Sequence, residues 1–166
     1  MATQRMQLKP EEAQYLSSAF PQYIKTLGTN FPVPGLAFDA AAEEKAYWSF
    51  VAQNYGSGNL TLILHWNADT ATANNCMWGC RMAAITAGTD AQSVRTKAFG
   101  SQQTQITAAS GTANAEVVTT ITISNLDSLA NGDEIWLEIS RVGNHASDTM
   151  TGDAILTMAE LSWSDS

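Results

Sequence analysis

The sequence predicts an all-β chain: an eight-stranded, jelly-roll-like β-sandwich over residues 35–166, preceded by an N-terminal arm over residues 1–34. Three observations carry this. Apolar residues recur with period two in several runs, as a strand with one buried face requires. Beyond residue 45 no 3.6-residue apolar stripe lasts ten positions, and β-branched residues dominate the periodic runs. Residues that tolerate positive φ fall where the alternation stops.

Taken in chain order, the arm comes first. Pro10-Glu11-Glu12 can open a helical turn or two, with proline near the first helical position and two acids beside the positive end of the helix dipole. Pro21, Pro32 and Pro34 then interrupt regular structure. The arm carries Tyr15, Leu16, Phe20, Tyr23, Ile24, Leu27 and Phe31, too much apolar surface for a free tail. It either covers its own sandwich or reaches a neighbouring subunit. Its charge also sets it apart: three basic and two acidic side chains, against five basic and fourteen acidic in residues 35–166.

The body offers strands at 35–39, at 45–52 with Trp48 and Phe50 on one side, and at 60–66, where Leu60, Leu62, Leu64 and Trp66 alternate with Thr61, Ile63 and His65. Further runs lie at 77–86, 93–99, 116–124, 134–142 and 154–163. Turns are expected at 55–59 and 131–133, and a polar loop at 68–75. Eight strands in about 130 residues fit two sheets that bury each other's inner faces. Cys76 and Cys80 are too close for the inter-sheet pair of an immunoglobulin domain. Within one strand they stand ~13 Å apart, beyond disulfide reach. They read as buried free thiols, in keeping with synthesis in a reducing cytoplasm.

Composition narrows the chemistry. Charged residues make up 14% of the chain, so neutral polar side chains must dress the surface, and the net charge of −8 opposes the phosphate neutralisation on which nucleic-acid binding rests. No apolar run approaches the ~20 residues that cross a bilayer, and none of seven or more follows Arg5 and Lys9 as in a secretory signal. The two histidines have poor contexts for a catalytic triad: His65 lies on the polar side of a strand and His145 in a loop. The cysteine spacing suits no zinc site, Asp148–Asp153 offers too few oxygens for calcium, and no Gly-rich phosphate loop occurs. Sixteen acids leave accidental glycosidase pairs open. The expectation is a non-enzyme with no catalytic residues, no cofactor and no metal.

Among the five tryptophans, Trp48 and Trp66 share parity with apolar neighbours and belong to the core. Trp136 lies opposite Ile135, Leu137 and Ile139, beside Glu138. It is the tryptophan expected at a contact surface, and with Tyr15, Phe20, Tyr23 and Phe31 it forms the set of candidate partner-contact residues.

The stretch Gly35-Leu36-Ala37-Phe38-Asp39, then Ala46-Tyr47-Trp48-Ser49-Phe50, then Gly58-Asn59-Leu60-Thr61-Leu62 through His65-Trp66 resembles a family of phage and prophage structural proteins. Trp78-Gly79, Ala83-Ala84-Ile85, Ile123 to Leu129, Gly132-Asp133 and Asp148 to Ala154 extend the resemblance over residues 35–163, leaving the arm outside it. It implies a virion protein with a β-sandwich body, of the kind that decorates or cements capsid shells. The expected partners are the major capsid protein or other virion proteins and further copies of the chain, a trimer being favoured because shells offer threefold positions. The expected location is the virion, after synthesis in the bacterial host cytoplasm. The alternative is a carbohydrate- or receptor-binding module of a phage fibre or spike.

Overall fold

A computed structural model describes residues 2–91 and 93–165. Among them ten strands form two antiparallel sheets, so the all-β sandwich expected from the sequence is the fold, with ten strands in place of eight. The strands are β1 (Thr3–Leu8), β2 (Gln22–Leu27), β3 (Pro32–Phe38), β4 (Glu43–Val51), β5 (Tyr55–Ala68), β6 (Asn75–Ile85), β7 (Gln103–Ala108), β8 (Val117–Ile123), β9 (Glu134–Val142) and β10 (Ala154–Asp165). One sheet runs β2-β3-β10-β5-β8, with β1 also paired to β10; the other runs β4-β9-β6-β7.

Residues 1–34 do not stand apart as an arm. They supply β1, a 3₁₀ turn at Pro10–Glu12 and β2, and position 34 falls inside β3. β1 pairs with β10 from Thr3↔Ser164 to Leu8↔Ala159. The segment after the 3₁₀ turn follows the edge of β4, where Gln14 and Tyr47 exchange backbone hydrogen bonds (2.8 and 3.0 Å) and the Lys45 N–H donates to the Ala19 carbonyl (2.9 Å). The expected strand at 93–99 is instead part of the loop segment 93–102, and β7 follows it. The expected turn at 55–59 lies inside β5; the chain reverses just before it, at Asn54, which adopts φ +55°. The turn at Gly132 is as read, with φ +89°.

The core lies between the inner faces. Leu60, Leu62, Leu64 and Trp66 of β5 meet Trp48 of β4, Cys76, Trp78, Cys80 and Met82 of β6, and Ile135, Leu137 and Ile139 of β9. The Trp78 ring stands edge-on to Phe38 (5.1 Å) and Trp66 (5.8 Å), the T-shaped packing that aromatic quadrupoles favour. In β10 a bulge between Leu156 and Met158 shifts register, so that inward positions pass from Ala154 and Leu156 to Ala159, Leu161 and Trp163. Without that extra residue the second half of the strand would turn its apolar set to solvent.

The inward parity of β9 carries a charge into this core at Arg141, which has 0% exposure. Its guanidinium donates to both Asp148 carboxylate oxygens (Nε–Oδ2 3.0 Å, Nη2–Oδ1 2.8 Å) and to the carbonyls of Phe38 (3.0 Å), Gly152 (2.7 Å) and Met150. The Met77 N–H adds a bond to Asp148 (2.9 Å). A buried charge is tolerable when satisfied in this way, and here it ties the loop before β10 to the end of β3.

Candidate ligand cleft

Every second residue of β4, β6 and β9 points away from the core, and a sheet face open to water would be polar there. Tyr47, Ala83, Ile85 and Trp136 make this one partly apolar. It is covered from two sides, by the 14–16 stretch and by the loop segment 93–102. Between these covers lies a cleft of about 320 Å³ whose walls include Tyr15, Tyr47, Phe99 and Trp136, with Gln14, Arg95 and Lys97 as polar side chains. Small-molecule sites share this character, a concave and largely aromatic lining with a few placed polar groups.

Beneath the cleft the outer face is locked by a buried carboxylate. Glu138, with 0% exposure, receives a bidentate pair from Arg81 (Nε–Oε1 2.8 Å, Nη2–Oε2 2.9 Å). The Arg81 guanidinium also sits over the Phe99 ring, 5.0 Å from its centroid, a cation–π contact that fixes the loop's aromatic on the sheet. Burial first, then the negative charge and hydrogen bond of Glu138, push the Tyr47 hydroxyl up to about 12, so it is a neutral donor at any physiological pH.

The loop is held by further bonds. Gly100 N–H donates to the Met82 carbonyl (2.9 Å), and Lys97 pairs with Asp90 and with Asp127 (3.1 Å). Gln102 Nε2 donates to Glu43 (2.8 Å) and Ser140 (3.0 Å). Gln102 can lie this close because position 79 is glycine: a Cβ there would come within 2.8 Å of its Nε2 and 2.9 Å of Ser140 Oγ.

Of the five candidate contact residues, the structure brings Tyr15 and Trp136 together in the cleft, 121 positions apart in sequence. Trp136 is half-buried, its Nε1 donating to Glu134 (2.9 Å). Phe20 packs against Tyr15 at 5.6 Å, and Tyr23 borders a neighbouring depression with Pro10 and Tyr15. Phe31 is elsewhere, at the β2–β3 turn. Sequence reasoning passed over Tyr47, Phe99 and Arg81. Tyr47 could have been found as Trp136 was, as an aromatic on the polar parity of its strand.

No family model matches this sequence, and no curated protein does. Solved structures do match in fold. A family 35 carbohydrate-binding module of Cellvibrio japonicus superposes with a TM-score of 0.51 at 11% identity, over 98% of this chain and 99% of that one. A native family 35 module of Clostridium thermocellum gives 0.52 at 12%, over 95% and 97%. A module of Clostridium stercorarium, solved with cellobiose, gives 0.52 at 11%, over 96% and 94%. The likeness is one of fold. It spans almost the whole chain, including residues 1–34.

The other chemistries tested from sequence leave few traces at the site. His65 pairs with Glu116 (2.5 Å) on β5, away from any cleft wall, and His145 is exposed in its loop. Among the described residues no three His, Cys, Asp or Glu side chains converge as metal ligands would, and no helix is long and apolar enough to cross a membrane.

Proposed function

We propose that this protein is a non-catalytic carbohydrate-binding module, of the kind carried on a phage fibre or spike, and that its glycan lies in the cleft over the four-stranded sheet. The observation that carries the reading is the cleft lining itself: four aromatic rings from two covers and two strands, with Gln14 and Arg95 beside them. The C–H faces of a sugar ring stack on aromatics while its hydroxyls take hydrogen bonds, which is the chemistry such a lining offers. The fold shared with modules named for carbohydrate binding supports the same class. Binding without cleavage fits the lining, in which no described residue is a carboxylate, while Glu138 below is committed to Arg81.

Glycan-array screening of the full chain followed by calorimetry tests this. Binding is expected, with Trp136→Ala raising the dissociation constant at least about tenfold. An array with no binder, or a Trp136→Ala variant that binds as tightly as the parent, would overturn it.

One observation favours a second reading, a capsid decoration protein on the virion surface. The β2–β3 hairpin ends in apolar side chains exposed to solvent, Leu27 at 83% and Phe31 at 69%, which is the character of a protein contact. A low-resolution image of the protein on an assembled particle would support it by placing this hairpin against the shell, and would sink it by leaving the hairpin in solvent.

A further inference from the structure

β2 is an edge strand, and its hydrogen-bonding pattern follows from the register. Gln22, Ile24 and Thr26 pair with Ala37, Gly35 and Val33, and the Gly28 N–H closes the turn onto the Phe31 carbonyl (3.1 Å). The intervening partners of Tyr23 and Lys25 are Leu36 and Pro34, and that of Leu27 is Pro32; prolines have no N–H to give. The backbone groups of Tyr23, Lys25 and Leu27 therefore point away from β3, and no described residue pairs with them. The edge of β4 in the other sheet is covered by residues 14–19; this one is bare. Natural sheets usually blunt a bare edge of six residues because it templates pairing with another chain. Here the blunting is one lysine, flanked by exposed Tyr23, Leu27 and Phe31.

The charge pattern says which chain. Between Glu12 and Asp39 the only charged residue is Lys25, in a protein of net charge −8. Two copies repel each other over most of their surfaces, and this stretch is where they approach at the least such cost, with Glu11 sharing the depression beside Tyr23. A strand edge is also complementary to itself in the antiparallel sense, as a two-fold contact requires.

We infer that β2 is a self-association edge: two copies of this chain join their β2 strands antiparallel across a two-fold axis, continuing the six-stranded sheet from one copy into the other. The register sets Lys25 against Tyr23 or Leu27 of the second copy, since lysine directly opposite lysine is unfavourable. This goes beyond the glycan reading and does not depend on it.

Light scattering on the full chain at high micromolar concentration reads the outcome, with a mass of twice 17.8 kDa expected. The double substitution Tyr23→Asp, Leu27→Asp halves that mass, as does Lys25→Pro, which removes an outward N–H and spares the β2–β3 ladder. Val118→Asp, at an exposed position on the far edge strand of the same sheet, leaves the dimer intact. Circular dichroism and melting of each variant separate dissociation from unfolding. A monomeric or trimeric parent, a folded double variant that stays dimeric, or a dimer lost in folded Val118→Asp would each overturn the proposal.

Discussion

Arg141 and Asp148, seven positions apart, meet as a bidentate ion pair with both side chains at 0% exposure, at the end of the core where β9, the loop before β10 and the end of β3 converge. Removing the cation leaves the carboxylate buried and strips a donor from three carbonyls. Arg141→Met is expected to cost about 3–5 kcal/mol. For a domain of this size that lowers the melting temperature by roughly 10 °C. Arg141→Lys recovers little, because an ammonium cannot reproduce the planar fork. Thermal unfolding of the two variants checks both statements.

Near that pair, two carboxyls are held above their ordinary range. Burial raises Asp153 first, then the charges of Asp69 and Asp39; burial also leads for Glu44, which faces Asp39 and Asp153. A carboxyl raised in the folded state binds its proton more tightly there than in the unfolded chain. Its charged form thus destabilises the fold, fully so once the pH exceeds the raised value, and not at all below the unfolded value of 3.8. Asp153→Asn is expected to stabilise the protein at pH 7 by roughly 0.5 kcal/mol, discounted for partial solvent screening. The gain disappears as the pH falls below 3.8. Urea unfolding of parent and variant on either side of that value measures the difference.

Cys76 and Cys80 are buried and unpaired, and both thiols are pushed up, Cys80 to about 12, chiefly by burial. The thiolate is the reactive form, so alkylation by iodoacetamide at pH 8 should run roughly a thousandfold slower in the folded protein than in urea. Comparable rates in the two conditions would mean that β6 opens readily.

Phe99 joins the loop segment 93–102 to the sheet through Arg81 and Tyr47, whose ring lies 6.1 Å away. Phe99→Ala should weaken glycan binding at least about tenfold. Stability should fall by only about 1 kcal/mol, since the side chain packs on the outer face and not in the core. Calorimetry and melting on the same sample separate the two effects.

The parts of the fold that could be read from sequence are those where one face is buried and the other is not. β5 shows this plainly in Leu60, Leu62 and Leu64, and β9 in Ile135, Leu137 and Ile139, with Trp136 betrayed by its opposite parity. β2 and β7 escaped because each bears mostly exposed side chains and carries little apolar alternation, and β1, whose burial does alternate, escaped because only Met6 and Leu8 of its inward positions are apolar. The 93–99 stretch misled for the converse reason: Val94 and Phe99 are apolar because they line the cleft, and no strand pairs with them. Two walls of the cleft, Trp136 and Tyr15, were legible one by one. Their meeting with each other and with Tyr47 and Phe99 was not, since it depends on which loop folds over which sheet.

The central strand of the larger sheet is also the latest of its strands in sequence. β10 gives hydrogen bonds to β5 along one side and to β3 and β1 along the other, so until Ala154–Asp165 has been made β1 has no partner strand and β3 and β5 have only β2 and β8. One backbone edge of the Leu60–Trp66 run must wait for hydrogen-bond partners about a hundred positions downstream. Assembly of this sheet is therefore expected to be slow, as contacts so distant in sequence generally are.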